Sequence, residues 1–392
     1  MKKRWLMLAA LGSSAIVHAE NSVTLYGLAN PGITWSSNAS AHGASRYFLD
    51  SGAMSGNRWG LAGKEALGGG ASVVFTLEGG FNVANGALGQ NGTFFGRQVF
   101  VGVDSSYGMV TLGRQYSPAT QLVGPFESGD DWAAVGGLYG AHPGNLDALD
   151  PQNRVNNAIK YMSPLYRGFK FGALYSLGGI AGAAGMNRIW SLAARYDHGP
   201  LAAGVAYLYA DNPNHSFFGN TADASVTGNN ITGPVLSGYA SAGSQQIFSA
   251  GVAYTIGQVT FGSQYSNTRF NDLGTNAVTG LTAREQTYRG SVFFNTGELN
   301  LKVQPAADLL LAAAVHYTRA SSVAGRVGAQ YRQLNLGVDY FLSKRTDVYA
   351  IAVLQKASGV DSTGNAAVAQ IGAIAASNSR QVLVTTGIRH KF

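Results

Sequence analysis

From Val23 onward the chain alternates. Val23, Leu25, Gly27, Ala29, Ile33 and Trp35 share one parity, and Thr24, Tyr26, Asn30, Thr34 and Ser36 share the other. A period of two is the mark of a strand with one apolar and one polar face. The same pattern returns near 58–64, 73–81, 94–103, 109–116, 154–162, 169–177, 188–196, 201–209, 247–256, 258–269, 285–304, 309–319, 330–342, 347–356 and 381–392. That predicts about sixteen strands.

The connections fall into two kinds. Gly68-Gly69-Gly70, Asp104 to Gly108, Ser163 to Gly168, His198-Gly199-Pro200, Gly257, Pro305 to Asp308 and Ser343 to Thr346 read as short turns. Longer polar stretches, such as 211–245 and 357–380, alternate with them. The stretch after Trp35 reads as loop to about Gly56, and Ser117 to Asn153 loses all strand rhythm while carrying Glu127, Asp130, Asp131, Asp147 and Asp150. An aperiodic segment of that length inside a compact domain usually serves function or is disordered.

The last stretch, Gln381 to Phe392, puts Val382, Val384, Thr386, Ile388, His390 and Phe392 on one parity. Gln381, Leu383, Thr385, Gly387, Arg389 and Lys391 take the other. A terminal strand left unpaired exposes a sheet edge. Pairing it with the first strand closes a barrel and satisfies every backbone group without water. Short turns on one side and long loops on the other are the pattern of outer-membrane barrels. Tyr161, Tyr166, Tyr175, Tyr196, Tyr207, Tyr209, Tyr254 and Tyr265 lie near strand ends, where aromatic girdles are expected.

Composition supports this reading. Charged residues make up 12% of 392, against about 25% in soluble proteins. Only one long apolar run exists, Leu6 to Val17, too short to span a bilayer. With Lys2, Lys3 and Arg4 before it and Val17-His18-Ala19 after it, residues 1–19 read as a cleaved secretory signal, and residues 20–392 as one barrel domain. Without those three basic residues the net charge of +7 falls to +4, so a nucleic-acid role loses its support. There are no cysteines.

Parity also sorts the charges. Arg58 is opposite to Trp59 and Leu61, and Glu78 is opposite to Leu77 and Phe81, so both should point into the lumen. Arg154 and Lys160 fall on the inner face with Asn156, and Lys170 lies between Phe169 and Phe171. A basic residue facing lipid at mid-depth costs about 2–4 kcal/mol, which favours the inward placement. Arg97 shares parity with Phe95, Val99 and Val101, so its direction is ambiguous.

S-V-T-L-Y-G (22–27), N-R-W-G-L (57–61), F-G-R-Q (95–98), T-L-G-R-Q-Y (111–116), P-F-E (125–127), R-V-N-N-A-I-K-Y (154–161) and the terminal G-I-R-H-K-F run the length of the chain. In these stretches the chain resembles the general porins of Gram-negative bacteria, in particular the anion-preferring porins of beta-proteobacteria. The resemblance implies an all-β, 16-stranded antiparallel barrel in the outer membrane, assembled as a homotrimer among lipid and lipopolysaccharide, with the third loop folded inward. It implies a basic cluster of Arg58, Arg97 and Arg154 at the constriction. Glu78 would lie beside that cluster, with the loop acids Glu127, Asp130 and Asp131 facing it. Arg114 is read instead as packing a loop or subunit. Phe392 would serve as a signal to the outer-membrane assembly machinery. The implied function is passive diffusion of small hydrophilic solutes, with no cofactor or metal.

Two rivals share the barrel. A membrane-embedded hydrolase needs a Ser/His/acid set, and neither G-x-S-x-G nor H-E-x-x-H occurs. A substrate-specific channel for an organic acid or phosphate would differ only in how tightly the constriction binds.

Overall fold

The computed structural model describes residues 21–40, 42–216, 218–219, 230–322 and 325–392. The expected export segment 1–19 lies outside them.

Nineteen strand segments form one sheet. Two pairs of these are halves of bent strands and one is a two-residue rim strand, Phe218–Gly219, so the barrel has sixteen strands. β1 is Ser22–Ala29 with Pro31–Ser36, and β2 is Arg46–Ser51 with Arg58–Gly68. β3 is Ala71–Gly80, β4 Gln98–Ser105, β5 Gly108–Tyr116, β6 Arg154–Met162, β7 Phe169–Ser176 and β8 Ile189–His198. β9 is Leu201–Asp211, β10 Ser244–Ile256, β11 Val259–Leu273 and β12 Gly290–Ala306. β13 is Leu309–Ala320, β14 Gln330–Phe341, β15 Thr346–Ser358 and β16 Arg380–Lys391.

All neighbours run antiparallel, and β16 closes on β1 with Gly32 opposite Gly387 and Leu28 opposite Lys391. Phe392 extends the seam: its N–H donates to Gly27 O at 3.0 Å and its carbonyl accepts from Gly27 N–H at 3.1 Å. A Cβ on Gly27 would sit 2.5 Å from the Phe392 ring, so the seam needs a residue without a side chain there.

The stretch 37–56 departs from the expected loop, because Arg46–Ser51 pairs with the upper half of β1. The ladder breaks at Asn30 and Asn57, and their amides repair it. Asn30 N–H donates to Asn57 Oδ1 at 2.6 Å, and Asn30 Nδ2 donates to Ile388 O at 2.9 Å. Polar residues spread over the break hid the alternation of β2.

Burial inverts the order of a soluble protein. On β12, the inward Glu298 is 2% exposed and the outward Leu299 is 63% exposed. Gln264, Thr296, Gln333, Asn335 and Gln355 are buried inside, while Leu25, Val101, Phe261 and Leu336 are exposed outside. Only a hydrocarbon surrounding makes that arrangement stable. Among the described residues no helix is long and apolar enough to cross a membrane.

Candidate functional site: the constriction

The aperiodic segment 117–153 lies inside the barrel. It opens with a short helix, Pro118–Leu122, capped by the Ser117 hydroxyl accepting from Thr120 N–H at 3.1 Å. Ala119, Leu122, Val123 and Phe126 bury themselves with Ala193 and Ala206 of β8 and β9. The chain then crosses to the far wall. Trp132, Ala133 and Tyr139 pack with Met54, Tyr349, Ile351 and Leu383.

Polar residues of the wall fix the loop backbone. Glu298 accepts from Ser128 N–H at 2.7 Å and from its hydroxyl at 3.0 Å. Asn335 Nδ2 donates to Gly140 O at 2.9 Å, and Asn300 Nδ2 donates to Phe126 O at 2.9 Å. The Tyr139 hydroxyl donates to Asp50 at 2.5 Å. Each bond satisfies a backbone or side-chain group that the loop would otherwise bury unpaired.

Opposite this loop the expected basic residues converge on Tyr116, the last residue of β5. Its hydroxyl accepts from Arg97 Nη2 at 3.0 Å and from Arg154 Nη2 at 3.1 Å. The Arg154 guanidinium also lies 5.1 Å from the Tyr116 ring centre. Arg97 Nε donates to Glu78 Oε1 at 2.8 Å, and the Tyr26 hydroxyl donates to Glu78 Oε2 at 3.1 Å. Arg58 is held by its own turn, Nε to Gly56 O at 3.0 Å, and interacts electrostatically with Arg97, Arg154 and Glu78. Arg97 and Arg154 are buried, while Arg58 is half-buried.

Arg97 precedes β4 and lies outside the ladder. Phe94 and Phe95 form a turn whose rings pack edge-on and tilted against Trp59, so strand parity does not govern the next residues. Arg114 packs within the wall, Nε to Gly96 O at 2.9 Å, and also donates to Asn156. Lys160 faces the lumen but is buried, donating to Tyr116 O at 3.1 Å and Gln121 Oε1 at 2.9 Å. Lys170 stands across from Arg195, whose guanidinium lies 4.9 Å from the Phe126 ring centre.

The loop acids separate. Asp131 pairs with Lys302 of β12 at 2.5 Å, and Asp130 is half-buried beside Gly124. Glu127 does not face the arginines: it is fully buried and accepts from His142 N–H at 2.8 Å. His142 Nδ1 lies 2.6 Å from Asp147, and Nε2 lies 3.4 Å from Glu298. Burial opposes a charge on His142, but Glu127 and Asp147 outweigh it and hold the imidazole well above its usual range. Burial pushes Glu127 well up, and burial with the charge of Asp147 lifts Asp150 to about 8. Glu127, His142 and Asp147 offer atoms within 4.8 Å of one another, a spacing a cation could use. A proton on the His142 imidazole, which Glu127 and Asp147 favour, would supply positive charge at the same place.

Tyr116, Tyr26, Glu298, His142 and Lys302 were not singled out by the sequence. Tyr116 ends the T-L-G-R-Q-Y stretch, which was a usable signal; Glu298 lies on a strand whose period is weak.

A model of the Gram-negative porin family matches residues 6–359. An outer membrane porin protein of Bordetella pertussis is 35% identical over 235 residues, 53% of this chain and 59% of that one. Outer membrane porin protein 32 of Delftia acidovorans is 28% identical over the full length of both. The solved anion-selective porin from Comamonas acidovorans superposes with a TM-score of 0.69 at 23% identity, covering 95% of this chain and 100% of that one. OmpF of Salmonella typhi superposes with a TM-score of 0.61 at 14% identity, covering 95% of this chain and 98% of that one. The chain therefore belongs to the Gram-negative porin family, and its closed barrel is an outer-membrane channel for passive diffusion.

Proposed function

We propose that this channel prefers anions, with Arg58, Arg97 and Arg154 forming the basic side of its constriction. One observation carries the reading: three guanidinium groups gather around Tyr116 with a single carboxylate, Glu78, among them. The wall at that point carries net positive charge. Across the channel Asp131 is offset by Lys302, so the loop returns little negative potential. Lys170 adds a further cation along β7, while Arg195 opposite it on β8 is offset by Asp197 at 2.9 Å. Fixed charge in a narrow, low-dielectric passage raises the local concentration of the opposite ion. The loop sets size exclusion because its anchors leave it little freedom.

The test is a zero-current potential across a planar bilayer holding a KCl gradient. Anion preference at neutral pH is the expected sign, and cation preference would overturn the reading. The name of the Comamonas relative supports the same sign. By family likeness the channel works as a homotrimer, and Phe392, seated in the seam against Gly27, serves as its assembly signal. Mass measurement of the purified, detergent-solubilised protein checks the trimer.

A further inference from the structure

Behind the constriction loop, the carboxyl groups of Glu127, Asp147, Asp150 and Glu298 are buried together with two imidazoles, His142 and His316, and the most open of these residues, His316, is 4% exposed. Glu127, Asp147 and Glu298 all turn to one base, His142, at 3.5, 2.6 and 3.4 Å. One imidazolium offsets one carboxylate, so a single proton on His142 leaves the group short of positive charge. Buried negative charge without a partner is strongly unfavourable.

Unpartnered atoms mark the same place. Glu127 Oε2, Asp147 Oδ1 and both oxygens of Asp150 are buried without a hydrogen-bond partner. So are His142 Nε2 and both ring nitrogens of His316, whose ring centre lies 4.9 Å from that of His142. A neutral imidazole carries one N–H and one lone pair, so His316 buries an unused donor to a metal beside the carboxylates. Each orphaned buried polar atom costs about 1–3 kcal/mol. Protons and water can satisfy some of them. A cation satisfies carboxylate and imidazole lone pairs together and supplies the missing charge.

The geometry suits a metal ion. Glu127, His142 and Asp147 each bring one donor atom within 4.8 Å of the others. Donors around a tetrahedral zinc ion stand about 3.3 Å apart, since each bond is about 2.0 Å. Neighbouring bonds hold the donors in place. Asp147 Oδ2 accepts from the Ser266 hydroxyl at 2.5 Å, and Glu127 Oε1 accepts from His142 N–H at 2.8 Å. Metal-binding imidazoles are commonly oriented by a carboxylate at the other ring nitrogen, and Glu298 faces His142 Nε2. The imidazole selects against Ca2+ and Mg2+, which take oxygen ligands.

We propose that Glu127, His142 and Asp147 bind one divalent first-row transition-metal ion, with His316 beside them. The ion ties Glu127, on the outgoing arm of the loop, to His142 and Asp147 on the returning arm, and Ser266 links Asp147 to β11. The ion and the His142 proton exclude one another, so the cluster carries its protons in the metal-free barrel. The docked loop closes the site, so the ion enters before docking.

The test refolds the mature barrel from denaturant into detergent, with Zn2+ or with chelator, and then gel-filters both samples in chelator. Elemental analysis should find about one Zn2+ per chain in the parent and about tenfold less in His142→Gln. Replacing the exposed His198 and His390 together with Gln should leave the content at the parental value. Co2+ in place of Zn2+ should give the intense visible bands of four-coordinate cobalt, and this readout on the parent decides the matter if His142→Gln does not fold. No retained ion in the parent would overturn the site, as would equal retention by His142→Gln. A cobalt spectrum like that of the aqueous ion, or loss of the ion with His198 and His390, would assign it to the surface and overturn the site too.

Discussion

Arg97 and Glu78 form a buried ion pair, Nε to Oε1 at 2.8 Å, and it cancels one of the three guanidinium charges around Tyr116. Arg58 is half-buried and its Nε donates to Gly56 O of its own turn, so under the proposed anion preference it is the guanidinium left to meet the permeating ion. Replacing Arg58 with Ser should lower the anion-to-cation permeability ratio severalfold. Replacing Glu78 with Gln should raise it, because Arg97 loses its counter-charge. Zero-current potentials read both. A Glu78→Gln channel that turns more cation-preferring would contradict the assignment.

Selectivity built on fixed charge must fade with salt. The Debye length shortens from about 10 Å at 0.1 M to about 3 Å at 1 M. The permeability ratio should therefore move toward that of free ions over this range. A ratio that is flat in salt would point to size exclusion or a binding site instead of a field.

The loop depends on Glu298. Replacing it with Ala leaves the Ser128 N–H without its acceptor, a loss of about 1–3 kcal/mol at a buried site. The expected result is a noisier channel with a shifted mean conductance and an intact barrel. Single-channel records at constant voltage check this, with circular dichroism to confirm the strands.

The same loop should be sensitive to pH, in a direction that can be derived. Asp150 rises from an ordinary 3.8 to about 8, mainly through burial, and Glu127 is raised the same way. His142 is held above its ordinary 6.5 by its carboxylate neighbours despite burial. All three bind protons more tightly in the docked loop than in free chain, so docking weakens as pH rises. For Asp150 the loss runs from pH 3.8 to about 8, and for His142 it starts at 6.5 and continues upward. Asp147, where His142 outweighs the effect of burial and lowers the carboxyl, acts oppositely and only on acidification below 3.8. Amide exchange over residues 127–150, corrected for intrinsic rate, should show more protection at pH 5 than at pH 9. Equal protection at both would remove the cluster from loop stability.

The seam offers a further check. Deleting Phe392 removes two backbone hydrogen bonds and the ring packed on Gly27. The yield of folded protein in the outer membrane should fall, and Gly27→Val should lower it too, because the ring blocks a Cβ. Normal yield in both variants would show that the last residue is dispensable for assembly.

The barrel itself was legible, since each strand must present one face to lipid and one to water, and that alternation is written residue by residue. It placed Arg58, Glu78, Arg154 and Lys160 inward, where the structure has them. It failed where the backbone leaves the ladder. Arg46–Ser51 was hidden by the break at Asn30 and Asn57. Arg97 had no usable parity because its strand begins one residue later.

The loop was the other limit. Its aperiodic sequence announced a special segment, but acids there had no period from which to read a direction. Glu127 went behind the loop to His142, Asp131 went to Lys302, and neither went to the arginines. Local pattern determined which residues face the lumen, because a period of two is a local property of the backbone. Only the tertiary structure decided which lumen charges meet. Such pairings join residues as far apart as Asp131 and Lys302, and no short-range rule fixes the path of a loop folded back across a barrel.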